Sequence, residues 1–153
     1  ELGFNYRMTD IQAALLISQL GKLDRFAARR KEIVAKYDEA LAEIPEVVLQ
    51  REIPESDTVR HLYILRLRPE RLLCDRRRFF DALRAENIYS QVHYLPVYWH
   101  SYYEKLGYGK GLCPNAEKLY EEIMSLPLFY GLTDGDVDGV IAAVKKIAAY
   151  YRR

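Results

Sequence analysis

Gly3-Phe4-Asn5-Tyr6-Arg7-Met8-Thr9-Asp10-Ile11-Gln12 is the stretch from which the rest of the chain is read. Thr9 and Gln12 have the spacing of a capping box, in which each side chain satisfies an orphan backbone donor. A helix therefore starts at Asp10, and the loop before it has a fixed exit. That loop carries the amide of Asn5 and the guanidinium of Arg7. Asn offers a donor and an acceptor, and Arg offers a planar fork matched to phosphate or carboxylate. A polar pair beside a helix N-terminus suits an oxyanion. The plainer reading of so short a motif is an ordinary surface loop.

Working outward, residues 10–20 are apolar almost all round: Ile11, Ala13, Ala14, Leu15, Leu16, Ile17 and Leu20. A helix of this kind is expected to be covered on several sides, in a core or at a subunit interface. Gly21 interrupts it. Residues 22–43 read as a long one-sided helix, with Leu23, Phe26, Ile33, Val34, Tyr37 and Leu41 on one stripe and Glu32 and Lys36 in ion-pair order opposite. Residues 47–50 and 59–68 read as strands, the second closed by Pro69. Their short connection makes the pairing antiparallel. Asp75 caps a helix bearing Phe79, Phe80 and Leu83, and residues 88–93 return as a strand. Pro114 opens another helix, whose apolar face runs Ala116, Leu119, Tyr120, Ile123, Met124. Residues 125–130 are extended, and Pro127 restricts any strand there to an edge. Thr133 and Asp136 start the last helix, striped by Val137, Val140, Ile141, Val144, Ile147, Ala148 and Tyr151. The expected fold is α+β: a small, mostly antiparallel sheet covered by helices, with a long N-terminal helix that docks elsewhere. The expected division is residues 1–44 for the loop and interface helices and 45–153 for the small domain.

The 153 residues suffice for one buried core. A net charge of +1 gives no broad footprint for nucleic acid or an acidic membrane, so neither is an expected partner. No apolar run approaches the ~20 residues that span a bilayer. Cys74 and Cys113 are far apart and lack metal spacing, which reads as two free thiols of a cytoplasmic protein. Residues 93–111 depart from the rest, with Tyr94, Tyr98, Trp99, Tyr102, Tyr103 and Tyr108 beside His93 and His100. Such aromatics either stack on a sugar or base face or plug the edge of a small core. The three histidines lack ligand spacing, and no metal is expected.

The runs GFNYRMTDIQAALLISQL (3–20), LDRFAARRKEIVAKYDEAL (23–41), QVHYLPVYWHSYYEKLGY (91–108) and LCPNAEKLYEEIMSLPLFYGLTDGDVDGVIAAV (112–144) resemble the DegT/DnrJ/EryC1/StrS sugar aminotransferases. Within that family they are most similar to the branch that aminates a UDP-linked 4-keto-6-deoxy hexosamine. The resemblance implies the small C-terminal domain of a fold-type-I enzyme dependent on pyridoxal phosphate. It implies a nucleotide-sugar substrate, an amino-acid amino donor and a homodimer. It also implies a chain that is part of a longer one, because the family's Schiff-base lysine and pyridinium aspartate lie upstream of the motif that begins at Gly3. None of the eight lysines present matches that lysine, and each sits in a solvated pattern, so no catalytic residue is expected here and the chain alone should be inactive. By the same resemblance, Asn5 reaches the cofactor phosphate of the neighbouring subunit, while Arg7 and His93 face the substrate. The alternative is a non-catalytic carbohydrate-binding or dimerisation module.

Overall fold

The computed structural model describes residue 4 and residues 6–153. Helix α1 (Asp10–Leu20) begins with the expected capping box. The Gln12 amide donates to the Thr9 hydroxyl at 3.3 Å, and the Thr9 amide donates to Gln12 Oε1 at 2.9 Å. Among the described residues its expected cover does not appear: no residue of α1 is buried, and Ile11 is 76% exposed. Gly21 turns the chain into α2 (Leu23–Leu41), where burial starts only at Ile33. Ile33, Val34, Tyr37 and Leu41 then enter the core, so the second half of α2 is the part anchored by burial. The expected Glu32–Lys36 pair is not made. Arg29 takes Glu32 instead, at 3.1 Å, and Lys36 reaches Asp134 at 2.9 Å.

Strands β1 (Val47–Leu49), β2 (Tyr63–Leu67) and β3 (Ile123–Leu126) form an antiparallel sheet in the order β1-β2-β3. Directly paired residues share a face. Val47 with Leu67, Leu65 with Met124, and Tyr63 with Leu126 therefore point into the core. Val48 with Arg66, Arg66 with Ile123, and Ile64 with Ser125 point the other way. Strand β2 is shorter than the reading of 59–68, because Arg60 takes a left-handed φ of 48° and the chain only extends from Tyr63. Helices α3 (Arg76–Ala85) and α6 (Asp134–Tyr151) join α2 on the core face, where Phe79, Leu83, Val137, Val140, Val144 and Ile147 are buried.

Two elements differ from expectation. Ile123 and Met124, read as the end of a helical face, begin β3. Helix α4 is the single turn Ser101–Glu104; helix α5 (Pro114–Glu122) stops at Glu122, and Ile123 is extended at φ −95°, ψ 150°. The strand expected over residues 88–93 does not form. Asn87 closes α3 at φ 61° with Ile88 N–H donating to the Leu83 carbonyl at 2.9 Å, a Schellman closure. After it only Gln91 runs alongside β3, exchanging backbone hydrogen bonds with Ser125 at 3.0 and 2.7 Å.

Polar clamps fix the helices to this frame. Arg29 donates to the Leu132 carbonyl at 2.7 Å and to Asp134 at 2.9 Å, tying α2 to the start of α6. Arg152, just past α6, grips the buried Glu46 through Nε at 2.5 Å and Nη2 at 3.3 Å. The predicted capping box of α6 is present: the Asp136 amide donates to the Thr133 hydroxyl at 3.2 Å, and the Thr133 amide donates to the Asp136 carboxylate at 2.9 Å. Thr133→Ala should cost about 1 kcal/mol, the usual worth of such a cap. Chemical unfolding of the variant beside the native chain checks this, and an unchanged midpoint would contradict it.

Candidate functional site

Of the residues that the sequence singles out, Asn5 lies outside the described residues. Arg7 lies in the loop held by the Thr9–Gln12 box and is exposed. With Tyr6, Met8, Gln12 and Leu16 it lines an open groove on the α1 side. A guanidinium presented this way can serve a phosphate or carboxylate that approaches from outside the chain. The groove is made by the loop and α1 alone, so the chain does not bring Arg7 and His93 into one cavity.

His93 lies next to β3. Its ring is half-buried, with Nδ1 3.0 Å from the Ser125 hydroxyl. The backbone pairing of Gln91 with Ser125 sets this distance, because it lays residues 91–93 along the outer side of β3. Tyr94 packs its ring against His93 at 4.6 Å and is otherwise 71% exposed. Sequence reading missed Ser125. A serine in an extended run carries no sign of which distant side chain its hydroxyl meets.

The aromatic stretch divides between the two roles considered for it. Tyr98 and Trp99 are packing residues: Trp99 stands edge-on to Tyr98 at 6.3 Å and to Tyr120 at 5.5 Å, and Arg76 lies over the Tyr120 ring at 4.7 Å. Lys110 rests over Trp99 at 4.7 Å, the cation-on-indole geometry that is most favourable among aromatics. Tyr94, Tyr102 and Tyr108 stay exposed. A second residue missed by sequence, Glu117, organises the glycine-containing loop between them. Its carboxylate accepts from the Tyr98 hydroxyl at 2.9 Å and from the Gly111 amide at 2.8 Å. Burial pushes the Glu117 carboxyl up, but the hydrogen bonds from Tyr98, Gly111 and Cys113 outweigh it and hold the group below its ordinary range. Burial, and then the bond to Glu117, push the Tyr98 phenol up to about 12.

Pyridoxal phosphate is the cofactor that the family resemblance implies. A lysine that anchors this cofactor needs a desolvated amine facing a cavity. All eight lysines here are exposed or half-buried, and none lines the groove of Arg7. Two apolar hollows exist elsewhere. One, of about 320 Å³, lies on the outer sheet face by Val48, Ile64 and Leu119; the other, of about 560 Å³, lies by Tyr89, Phe129 and Gly139. Neither contains Arg7 or His93. Among the described residues no three His, Cys, Asp or Glu side chains gather as a metal site, and Cys74 and Cys113 are free thiols. No helix among the described residues is long and apolar enough to cross a membrane.

The chain has clear relatives. The profile of the DegT/DnrJ/EryC1/StrS aminotransferase family matches residues 1–145. The spore coat polysaccharide biosynthesis protein SpsC of Bacillus subtilis is 38% identical, over 95% of this chain and 38% of SpsC. Spr1654 of Streptococcus pneumoniae, solved in PMP and PLP forms, superposes with a TM-score of 0.86 at 32% identity, over 94% of this chain and 36% of its own. Helicobacter pylori PseC, an aminotransferase involved in the biosynthesis of pseudoaminic acid, gives a TM-score of 0.89 at 26% identity, over 99% and 40%. The chain therefore spans 36–40% of the length of these relatives. With the α+β fold shared and the family profile matched almost end to end, this chain belongs to the DegT/DnrJ/EryC1/StrS aminotransferase family.

Proposed function

We propose that this chain is the C-terminal part of a pyridoxal-phosphate enzyme that aminates a keto group on a nucleotide-linked sugar, in the biosynthesis of a cell-surface or spore-coat polysaccharide. The observation that carries the reading is the family match over residues 1–145, joined to the likeness to SpsC and to structures solved in PLP and PMP forms. The cofactor, when bound, supplies the electron sink for moving an amino group from an amino-acid donor to the sugar. This chain supplies edges of the site. Asn5, outside the described residues, would donate to the cofactor phosphate across a homodimer interface, and Arg7, in the loop ahead of α1, would bind an anionic part of the substrate. His93 hydrogen-bonds the substrate from the β3 side. In the division at residues 1–44 and 45–153, α1 forms the reach toward the rest of the enzyme, while Ile33, Val34, Tyr37 and Leu41 of α2 anchor it in the core of the platform behind. The exposed apolar stripe of α1 supports that division, since Ile11, Leu15 and Ile17 are the kind of surface a larger body covers. Alone, the chain lacks an anchoring lysine and is inactive.

The test compares the chain with the full-length enzyme for PLP absorbance and for transamination of a UDP-linked 4-keto sugar. The full-length protein should bind PLP and turn over, and the chain should do neither. Asn5→Ala in the full-length protein should weaken PLP retention by about tenfold, the worth of one charge-assisted hydrogen bond. Stable PLP binding by the chain alone would overturn the partial-site reading. Failure of both proteins to bind PLP would favour a non-catalytic carbohydrate-binding module, for which the exposed Tyr94, Tyr102 and Tyr108 would be the stacking surface.

A further inference from the structure

Ser125 is 5% exposed in β3, and its hydroxyl lies 3.0 Å from Nδ1 of His93. Two arrangements satisfy that distance. Either the serine O–H donates to a bare Nδ1, or an Nδ1–H donates to the serine oxygen. The second leaves the hydroxyl proton in need of another acceptor. Among the described residues Ser125 Oγ makes no other hydrogen bond. The adjacent backbone is already engaged, because the Ser125 carbonyl accepts from Gln91 and the Ser125 amide donates to the Gln91 carbonyl. A buried hydroxyl proton without an acceptor is penalised, so the first arrangement is favoured.

We infer that Ser125 is a positioning residue that locks neutral His93 as the Nε2–H tautomer, so that the imidazole meets substrate as a hydrogen-bond donor and not as a base. The chemistry it fits is an oxygen acceptor, a phosphate or hydroxyl oxygen of the sugar nucleotide. That last step rests on the proposed placement of His93 at the substrate; the tautomer does not. Ser125 holds this role through the sheet. Its partner strand fixes it opposite Ile64, and the bridge to Gln91 fixes where His93 must lie. Ring and hydroxyl thus come from segments 32 residues apart with no freedom to slide.

Long-range nitrogen–proton NMR of the imidazole in the 153-residue chain tests the tautomer directly. The native ring should show Nε2 protonated and Nδ1 bare. Ser125→Ala should give a mixture of tautomers, and Ser125→Thr, which keeps a hydroxyl, should restore the native pattern. A dominant Nδ1–H form, or a pattern that Ser125→Ala leaves unchanged, overturns the inference. In the full-length enzyme, Ser125→Ala should raise KM for the nucleotide sugar about fivefold with kcat held, as for one weakened hydrogen bond, and Ser125→Thr should recover it. If the tautomer shifts while KM does not, the positioning of His93 stands and its role at the substrate is refuted.

Discussion

Phe79→Ala should lower the stability of the chain by about 3–5 kcal/mol, the cost of emptying a fully buried aromatic site. Phe79 is 0% exposed and stands in α3 where that helix meets β3 and α6. Its neighbours are held from three sides by the sheet register, the Asp75 cap and the Schellman closure at Asn87. The site therefore has little freedom to collapse into the space left. Domains of this size keep about 5–15 kcal/mol in total, so one substitution removes a large share. The urea midpoint should fall by about 1 M or more with an unchanged slope. Leu73→Ala, at a position 64% exposed, should stay within about 0.5 kcal/mol. Equal effects at both positions would mean that the core is not organised around α3 as described.

Alkaline pH should unfold the chain steeply, through two phenols. Tyr37 is 0% exposed and donates to the Pro127 carbonyl at 2.9 Å; Tyr63 is 1% exposed and donates to Asp38 at 2.7 Å. Their rings pack 4.8 Å apart. Burial pushes both phenols well above the ordinary range. The nearby charge of Asp136 adds to the effect at Tyr37, and the hydrogen bond to Asp38 adds to it at Tyr63. A group raised in the folded state contributes fully below its unfolded value and loses that contribution as pH climbs. The window therefore opens near pH ~10, where unfolded tyrosine ionises. Above it each phenol removes about 1.4 kcal/mol per pH unit, so the pair removes about 2.7. Denaturation midpoints measured from pH 9 upward, for the native chain and Tyr63→Phe, isolate the effect because the lysines are common to both. Tyr63→Phe should halve this part of the slope. Identical slopes would show that Tyr63 ionises without unfolding.

How much of this was legible beforehand varies with how local the determinant is. The boxes at Thr9 and Thr133, the Asp75 cap and the stripe of α6 were readable because each is settled within four residues. The antiparallel pairing of β1 and β2 was readable because the connection is short. Ile123 and Met124 were not: they continue the helical spacing of α5, and only pairing with Leu65 and Arg66 across the sheet makes them a strand. The missing strand at residues 88–93 has the opposite cause. Its composition suits extension, but the left-handed turn at Asn87 is followed by only one residue, Gln91, in register with β3. Arg7 and His93 were named from residue type in a recognisable run, and their place at a site belongs to the proposed function. Ser125 and Glu117 were not, since each acts through a contact that the fold alone creates.

The bareness of α1 sets it apart from the rest of the molecule in one more respect. An 11-residue helix is near the lower limit of what persists in water without tertiary support. Its capping box slows fraying at one end, but among the described residues none of α1 belongs to the core that melts in the main transition. α1 is then a separate foldon of low stability, and whatever covers it must supply the ordering free energy as part of its own binding. The loop of Arg7 inherits that condition. Its fixed direction depends on Gln12 staying helical, so the geometry of a site edge is set by how well a neighbouring surface is covered.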